Sequence, residues 1–88
     1  MGTFDPAKDA KNKAKHGISL ARGDDFGMDE ALIEEDLRPY GEQRWIAYGP
    51  LDGALYVLVF TLRDDEPRYI SLRRATKQEA RLYREEYR

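Results

Sequence analysis

Between Arg68 and Arg84 the chain carries six basic residues against a single acid, Glu79, and most of the side chains able to do chemistry lie there. Arginine presents a planar fork of N–H donors that matches paired oxygens of a phosphate or carboxylate, so Arg73 leads this anion-binding array. Arg68, Arg74, Lys77, Arg81 and Arg84 surround it in sequence. Three residues could join from elsewhere: Lys15, the sole histidine His16, and Arg44. His16 suits acid–base work because imidazole titrates near neutrality. It also stands at the end of a helical pattern, where the helix dipole should hold it partly protonated and where a plain capping role is the alternative. For Arg73 the alternative is a structural salt bridge to Glu42 or Glu79.

These residues need elements to position them. Residues 68–73 alternate as a strand, with Arg68, Ile70 and Leu72 on one face and Tyr69, Ser71 and Arg73 on the other. Thr76 and Glu79 then form a capping box that starts a helix. On that helix Ala80, Tyr83 and Tyr87 make a packing stripe, and Lys77, Arg81, Arg84 and Arg88 a basic one. The chain's first helix has the same design. Asp5 caps it, Pro6 takes its first position and Gly17 stops it, with an apolar stripe of Ala7, Ala10 and Ala14 beside a basic stripe of Lys8, Lys11 and Lys15. Ser19 caps a short second helix that Gly23 weakens.

Ala31 to Glu34 reads as a short edge strand, Arg44 to Gly49 as a second strand, and Leu55 to Leu62, apolar on both faces, as the central one. The expected order is α-α-β-β-β-β-α: an α+β fold in which N-terminal helices and a C-terminal helix cover one face of an antiparallel sheet of three to four strands. The other face stays partly open for a site.

At 88 residues the chain is expected to form one domain, 1–88. The absence of cysteine removes disulfides, thiolate metal sites and cysteine nucleophiles. With one histidine, and an acidic run that lacks calcium-loop spacing, no metal or other cofactor is expected. The longest apolar run, Ala54 to Phe60, is too short to span a bilayer and no signal-like segment opens the chain, so a soluble, unprocessed cytoplasmic protein is expected. Net charge is −2, yet its distribution is uneven: from Asp24 to Glu42 eight acids face one base, Arg38. A basic cleft with an acidic surface elsewhere fits this, and so do simple solvated faces.

Phe4-Asp5-Pro6-Ala7-Lys8, Asn12, Lys15-His16-Gly17-Ile18-Ser19, then Glu42, Arg44, Trp45 and Gly49, and finally Arg68, Ile70 through Thr76, Glu79 and Tyr83, in this order, resemble the BrnT-type toxins of bacterial type II toxin–antitoxin pairs. The resemblance implies a minimal RelE-like fold and a ribonuclease that arrests translation. It also implies a cognate antitoxin that binds operator DNA, so that DNA is met only through that partner. The chain departs from the family's usual pattern at Leu72, normally a small residue, and where Gly23-Asp24-Asp25 interrupts the second helix.

Cleaving RNA without a metal requires a base for the 2′-hydroxyl, an acid for the 5′-oxygen and cations for charge building on phosphorus. The candidate catalytic residues are His16, Arg44 and Arg73, and the candidate RNA-binding residues are Lys15, Arg68, Arg74, Lys77, Arg81 and Arg84. His16, Glu42 and Tyr83 are the choices for acid and base, Glu42 a weak one beside arginines and Tyr83 better suited to packing. Trp45 could stack on a base or centre the core, and the core is the expectation. The antitoxin is expected over Lys77, Arg81 and Arg84. A non-catalytic RNA- or protein-binding module and a purely structural interaction domain are the competing readings.

Overall fold

The computed structural model describes residues 2–86. Helix α1 (Pro6–His16) begins where Asp5 accepts the N–H of Ala7 and ends where Gly17, at φ 73°, donates its N–H to the Lys13 carbonyl. A left-handed residue at that point is why glycine stands there. The buried side of α1 differs from expectation: Ala7, Ala10 and Ala14 are exposed, while Asp9 and Asn12 are buried. The reason is what the helix meets. It lies along an edge of the sheet, against backbone, and backbone wants hydrogen-bonding partners.

The sheet has five strands, β1 (Thr3–Phe4), β2 (Leu32–Asp36), β3 (Arg44–Leu51), β4 (Ala54–Arg63) and β5 (Glu66–Arg74), in the order β1-β5-β4-β3-β2. Four form an antiparallel meander with β4 in the middle and β2 at an edge. The fifth, β1, pairs parallel to β5, so the strand count exceeds the expected three to four. Two residues carry no periodicity, which is why β1 leaves no trace in the sequence pattern.

The first part of β5 is joined to β1, but α1 then carries the chain away and leaves Leu72 without a strand neighbour on the side away from β4. Asn12 takes that place. Its amide nitrogen donates to the Leu72 carbonyl at 2.8 Å and its carbonyl accepts the Leu72 N–H at 3.1 Å, while the same nitrogen reaches the Ile18 carbonyl at 2.9 Å. Asp9 does the same for the next segment, accepting the Leu20 N–H at 2.7 Å and the Ser19 hydroxyl at 3.0 Å.

Two 3₁₀ turns, Leu20–Asp25 and Met28–Glu30, replace the expected short second helix. Ser19 caps the first by accepting the Ala21 N–H. They cover the core face, where Leu20, Phe26, Ala47, Leu51, Leu58, Phe60, Tyr69 and Leu72 form the buried cluster and Trp45 packs against it. Gly23 and Asp24 have a structural reason to interrupt a helix. A Cβ on Gly23 would lie 2.6 Å from the Tyr69 ring, and the Asp24 carboxylate accepts the Tyr69 hydroxyl at 2.7 Å. Burial and the neighbouring Asp24 and Asp25 raise the Tyr69 hydroxyl's pKa, so it stays a proton donor.

Strand β5 does not keep strict alternation. Val59 pairs with Ser71 and Phe60 with Tyr69, so Ile70 is an extra residue, a β-bulge. The bulge puts Tyr69 and Leu72 on the core face and Arg68, Ser71 and Arg73 together on the other, correcting the faces that simple alternation assigns. Helix α2 (Lys77–Glu86) opens with the expected capping box, Thr76 N–H to Glu79 at 2.8 Å and Glu79 N–H to the Thr76 hydroxyl at 3.1 Å. It lies across the face opposite the 3₁₀ turns, so the terminal helical segments do not share one face. Tyr87 and Arg88, expected on its stripes, lie outside the described residues.

Candidate functional site

The face away from the core is built of rows set by the register: Tyr48, Val57 and Arg73 in one, then Ile46, Val59 and Ser71, then Thr61 with Arg68. Arg44 lies one step past Trp45, beside this last row. Helix α2 covers the first row, where Val57 is buried. The second row is half-buried and forms an apolar floor with Ser71 at its α1 end.

At that end the helix and the bulge bring Lys15, His16 and Ser71 around one groove, and the Arg73 charge reaches the imidazole. Burial, Lys15 and Arg73, in that order, lower the His16 pKa below 6.5. The helix dipole was expected to act the other way; neighbouring cations and partial desolvation outweigh it. The shift favours the neutral imidazole near pH 7, whose ring then carries a basic nitrogen in the field of Lys15 and Arg73.

Arg73 donates from Nη1 and Nη2 to the two Glu79 oxygens at 2.8 and 2.9 Å, and from Nη1 to the Arg74 carbonyl at 3.2 Å. Glu79 is held at about 2 chiefly by these bonds, with the Thr76 N–H adding to them against the cost of burial. One carboxylate thus closes the helix cap and clamps the arginine. Among the described residues no acceptor is bonded to the Nε–H or to the second Nη2–H of Arg73, and these two point the same way. That side of the guanidinium is a fork wide enough for two phosphate oxygens.

The remaining candidates divide. Arg44 donates to Glu42 at 3.0 Å and lies with its guanidinium carbon 3.9 Å from the centre of the Tyr40 ring. It stands at the far corner of the face from Arg73, nearer Arg68, which contacts Thr3 at 3.5 Å. Arg74 projects to the opposite face, its guanidinium 5.7 Å from the Tyr56 ring. Lys77, Arg81 and Arg84 are exposed along α2. Glu42 is engaged with Arg44 and, at 3.7 Å, with Arg63, and the Tyr83 hydroxyl donates to the Glu30 carbonyl. Lys15 and His16 thus share one groove, and Arg73 is the candidate arginine whose charge acts on that imidazole.

Tyr48 and Ser71 escaped sequence reasoning. Tyr48 shares the Arg73 row, donates to Glu34 at 3.0 Å and is pushed up to about 12 by burial and that carboxylate. The alternation of β3 places it on the open face, but only the strand order shows that Arg73 is its neighbour. Among the described residues no three histidine or acidic side chains converge as a metal cage requires, and no helix is long and apolar enough to cross a membrane.

A family model described as the ribonuclease toxin, BrnT, of type II toxin–antitoxin systems matches residues 4–79. Comparisons with curated proteins and with solved structures give no match. The matched stretch holds Asp9, Asn12, His16, Arg73 and the Glu79 that clamps it, and it stops short of Arg81 and Arg84. With most of its length matched, the chain belongs to the BrnT family of ribonuclease toxins of type II toxin–antitoxin systems.

Proposed function

We propose that this chain is a metal-independent endoribonuclease whose chemistry takes place at the α1 corner of the open face. The observation that carries this reading is His16 in a lysine-lined groove, within the field of an arginine whose Nε–Nη2 fork has no acceptor among the described residues. His16 accepts the proton of the 2′-hydroxyl as that oxygen attacks phosphorus, the P–O5′ bond breaks with the 5′-oxygen taking a proton from solvent, and a 2′,3′-cyclic phosphate forms. Arg73 holds the phosphoryl oxygens as charge grows on them, and Glu79 keeps its fork in place. Arg44 and Arg68 bind the strand further along the face. The sheet meander flanked by terminal helices supports a RelE-like reading of the fold.

In this reading the chain is a cytoplasmic toxin that arrests translation and is neutralised by its antitoxin, with the exposed cations of α2, Lys77, Arg81 and Arg84, as the surface that partner covers. The test is purified protein on total RNA, with and without chelator. Cleavage should survive chelation, leave cyclic phosphate ends, stop when the cut site carries a 2′-deoxy sugar, and spare DNA. Loss of activity on chelation overturns the mechanism. Binding to RNA that is left intact replaces it with a non-catalytic binding module.

A further inference from the structure

Helix α1 has four lysines in its eleven residues, and they are not used alike. Lys13 pairs with Asp9 at 3.5 Å on the side that meets the 3₁₀ turn. Lys8, Lys11 and Lys15 stand on the other side, exposed, and among the described residues none of them has a carboxylate partner. At about 100° per residue the three share one face and span about 10 Å of helix. They line a groove of about 360 Å³ whose opposite wall is the bulged edge of β5, Ile70 and Ser71, and whose inner end is His16. Five arginines, Arg22, Arg38, Arg44, Arg63 and Arg73, each have a carboxylate within 4 Å, whereas Arg68, Arg74, Arg81 and Arg84, like the three groove lysines, have none among the described residues. Cations left without counter-charge along a groove, ending at a candidate base, describe a path for a polyanion.

We infer that this groove is the track on which a single-stranded RNA backbone lies, with Lys8 and Lys11 holding the phosphates adjacent to the one delivered to His16 and Arg73; this rests on the ribonuclease reading above. Lys8 and Lys11 are then strand-positioning residues and take no part in bond cleavage. A single strand fits a groove walled by one helix and one strand edge, and the Ile70 side chain offers an apolar wall against which a base or ribose packs. The track extends RNA binding from Lys15, already expected from the sequence, along α1 to Lys8 and Lys11, which were not among the expected RNA contacts. An acidic protein segment is the competing occupant.

The test compares the full chain with the Lys8→Ala/Lys11→Ala and Lys8→Arg/Lys11→Arg variants, all checked for folding by circular dichroism. The binding probe is a mixed-sequence single-stranded oligoribonucleotide with 2′-O-methyl groups throughout, titrated across a salt series. The alanine pair should make the slope of log affinity against log salt shallower by about 1.4, about 0.7 for each lost phosphate contact. On cleavable RNA, KM should rise about tenfold with kcat held, and the arginine pair should restore both. A wild-type enzyme that cleaves while the alanine pair keeps its slope and KM overturns the track. Lysine-dependent binding without any cleavage overturns the catalytic reading and keeps the track. Lysine-dependent binding of poly-glutamate in place of RNA makes the groove a protein interface.

Discussion

Helix α1 buries two polar side chains, Asp9 and Asn12, and helix α2 buries none, although both start with a side-chain cap and both carry a basic stripe. Through Asn12 and Asp9, α1 is bonded to the backbone of Leu72, Ile18 and Leu20 and so completes an edge of the sheet. Helix α2 is held by the Glu79 clamp on Arg73, the Tyr83 bond to Glu30 and partial apolar contact. A cation on α1 is therefore fixed relative to His16, as positioning a scissile phosphate requires. A cation on α2 sits on a less firmly held surface, adequate for long-range attraction of a partner. The two stripes look interchangeable in sequence and are not interchangeable in place.

The largest effect should come from the arginine that α2 clamps on β5. Arg73→Ala should lower kcat by ~10²–10³ with a much smaller change in KM, because its contact strengthens as charge develops. A folded, fully active Arg73→Ala protein would remove the α1 corner as the site.

Next come the polar anchors of α1. Asn12→Ala leaves the Leu72 N–H and C=O buried without partners and should cost about 3 kcal/mol in denaturant unfolding. A cost below about 1 kcal/mol, the level of an exposed hydrogen bond, would mean that the β5 edge is satisfied another way. Reversing charge with Arg81→Glu and Arg84→Glu should slow antitoxin association about tenfold at low salt and less at high salt, measured by stopped-flow. An unchanged on-rate would detach the α2 stripe from the antitoxin.

Thr76→Ala should cost about 1 kcal/mol, since it removes one cap from a helix with no fully buried side chain. Measured beside Asn12→Ala, it sharpens the contrast: if the two variants lose the same stability, the helices are equally anchored.

The smallest signal is a titration. His16 is the sole histidine, so its ring resonances report one group. Its pKa should lie below 6.5 and move upward in Lys15→Ala and in Arg73→Ala, because each removes a cation that opposes protonation. The folded protein then binds fewer protons than the unfolded chain as pH falls below 6.5, so His16 weakens stability on the acid side. A value unmoved by either substitution would separate His16 from Arg73.

Much of this molecule was decided by local rules. Asp5, Pro6 and Gly17 set the limits of α1, Thr76 and Glu79 start α2, and the two-sided apolar run of β4 requires a central strand, because caps, turns and burial on both faces act within a few residues. Three matters needed the tertiary structure. The Ile70 bulge moves Arg68 to the face of Arg73, because a bulge depends on how β5 meets β4 and not on its own alternation. The sequence pattern points to the Ala7, Ala10 and Ala14 stripe as the packing side, until the fold shows that α1 faces an unpaired backbone edge, where Asp9 and Asn12 bind better than an alanine stripe. His16 reads as partly protonated at the helix end until the fold partly buries it within the field of Lys15 and Arg73, since desolvation and charge act through space between residues far apart in the chain.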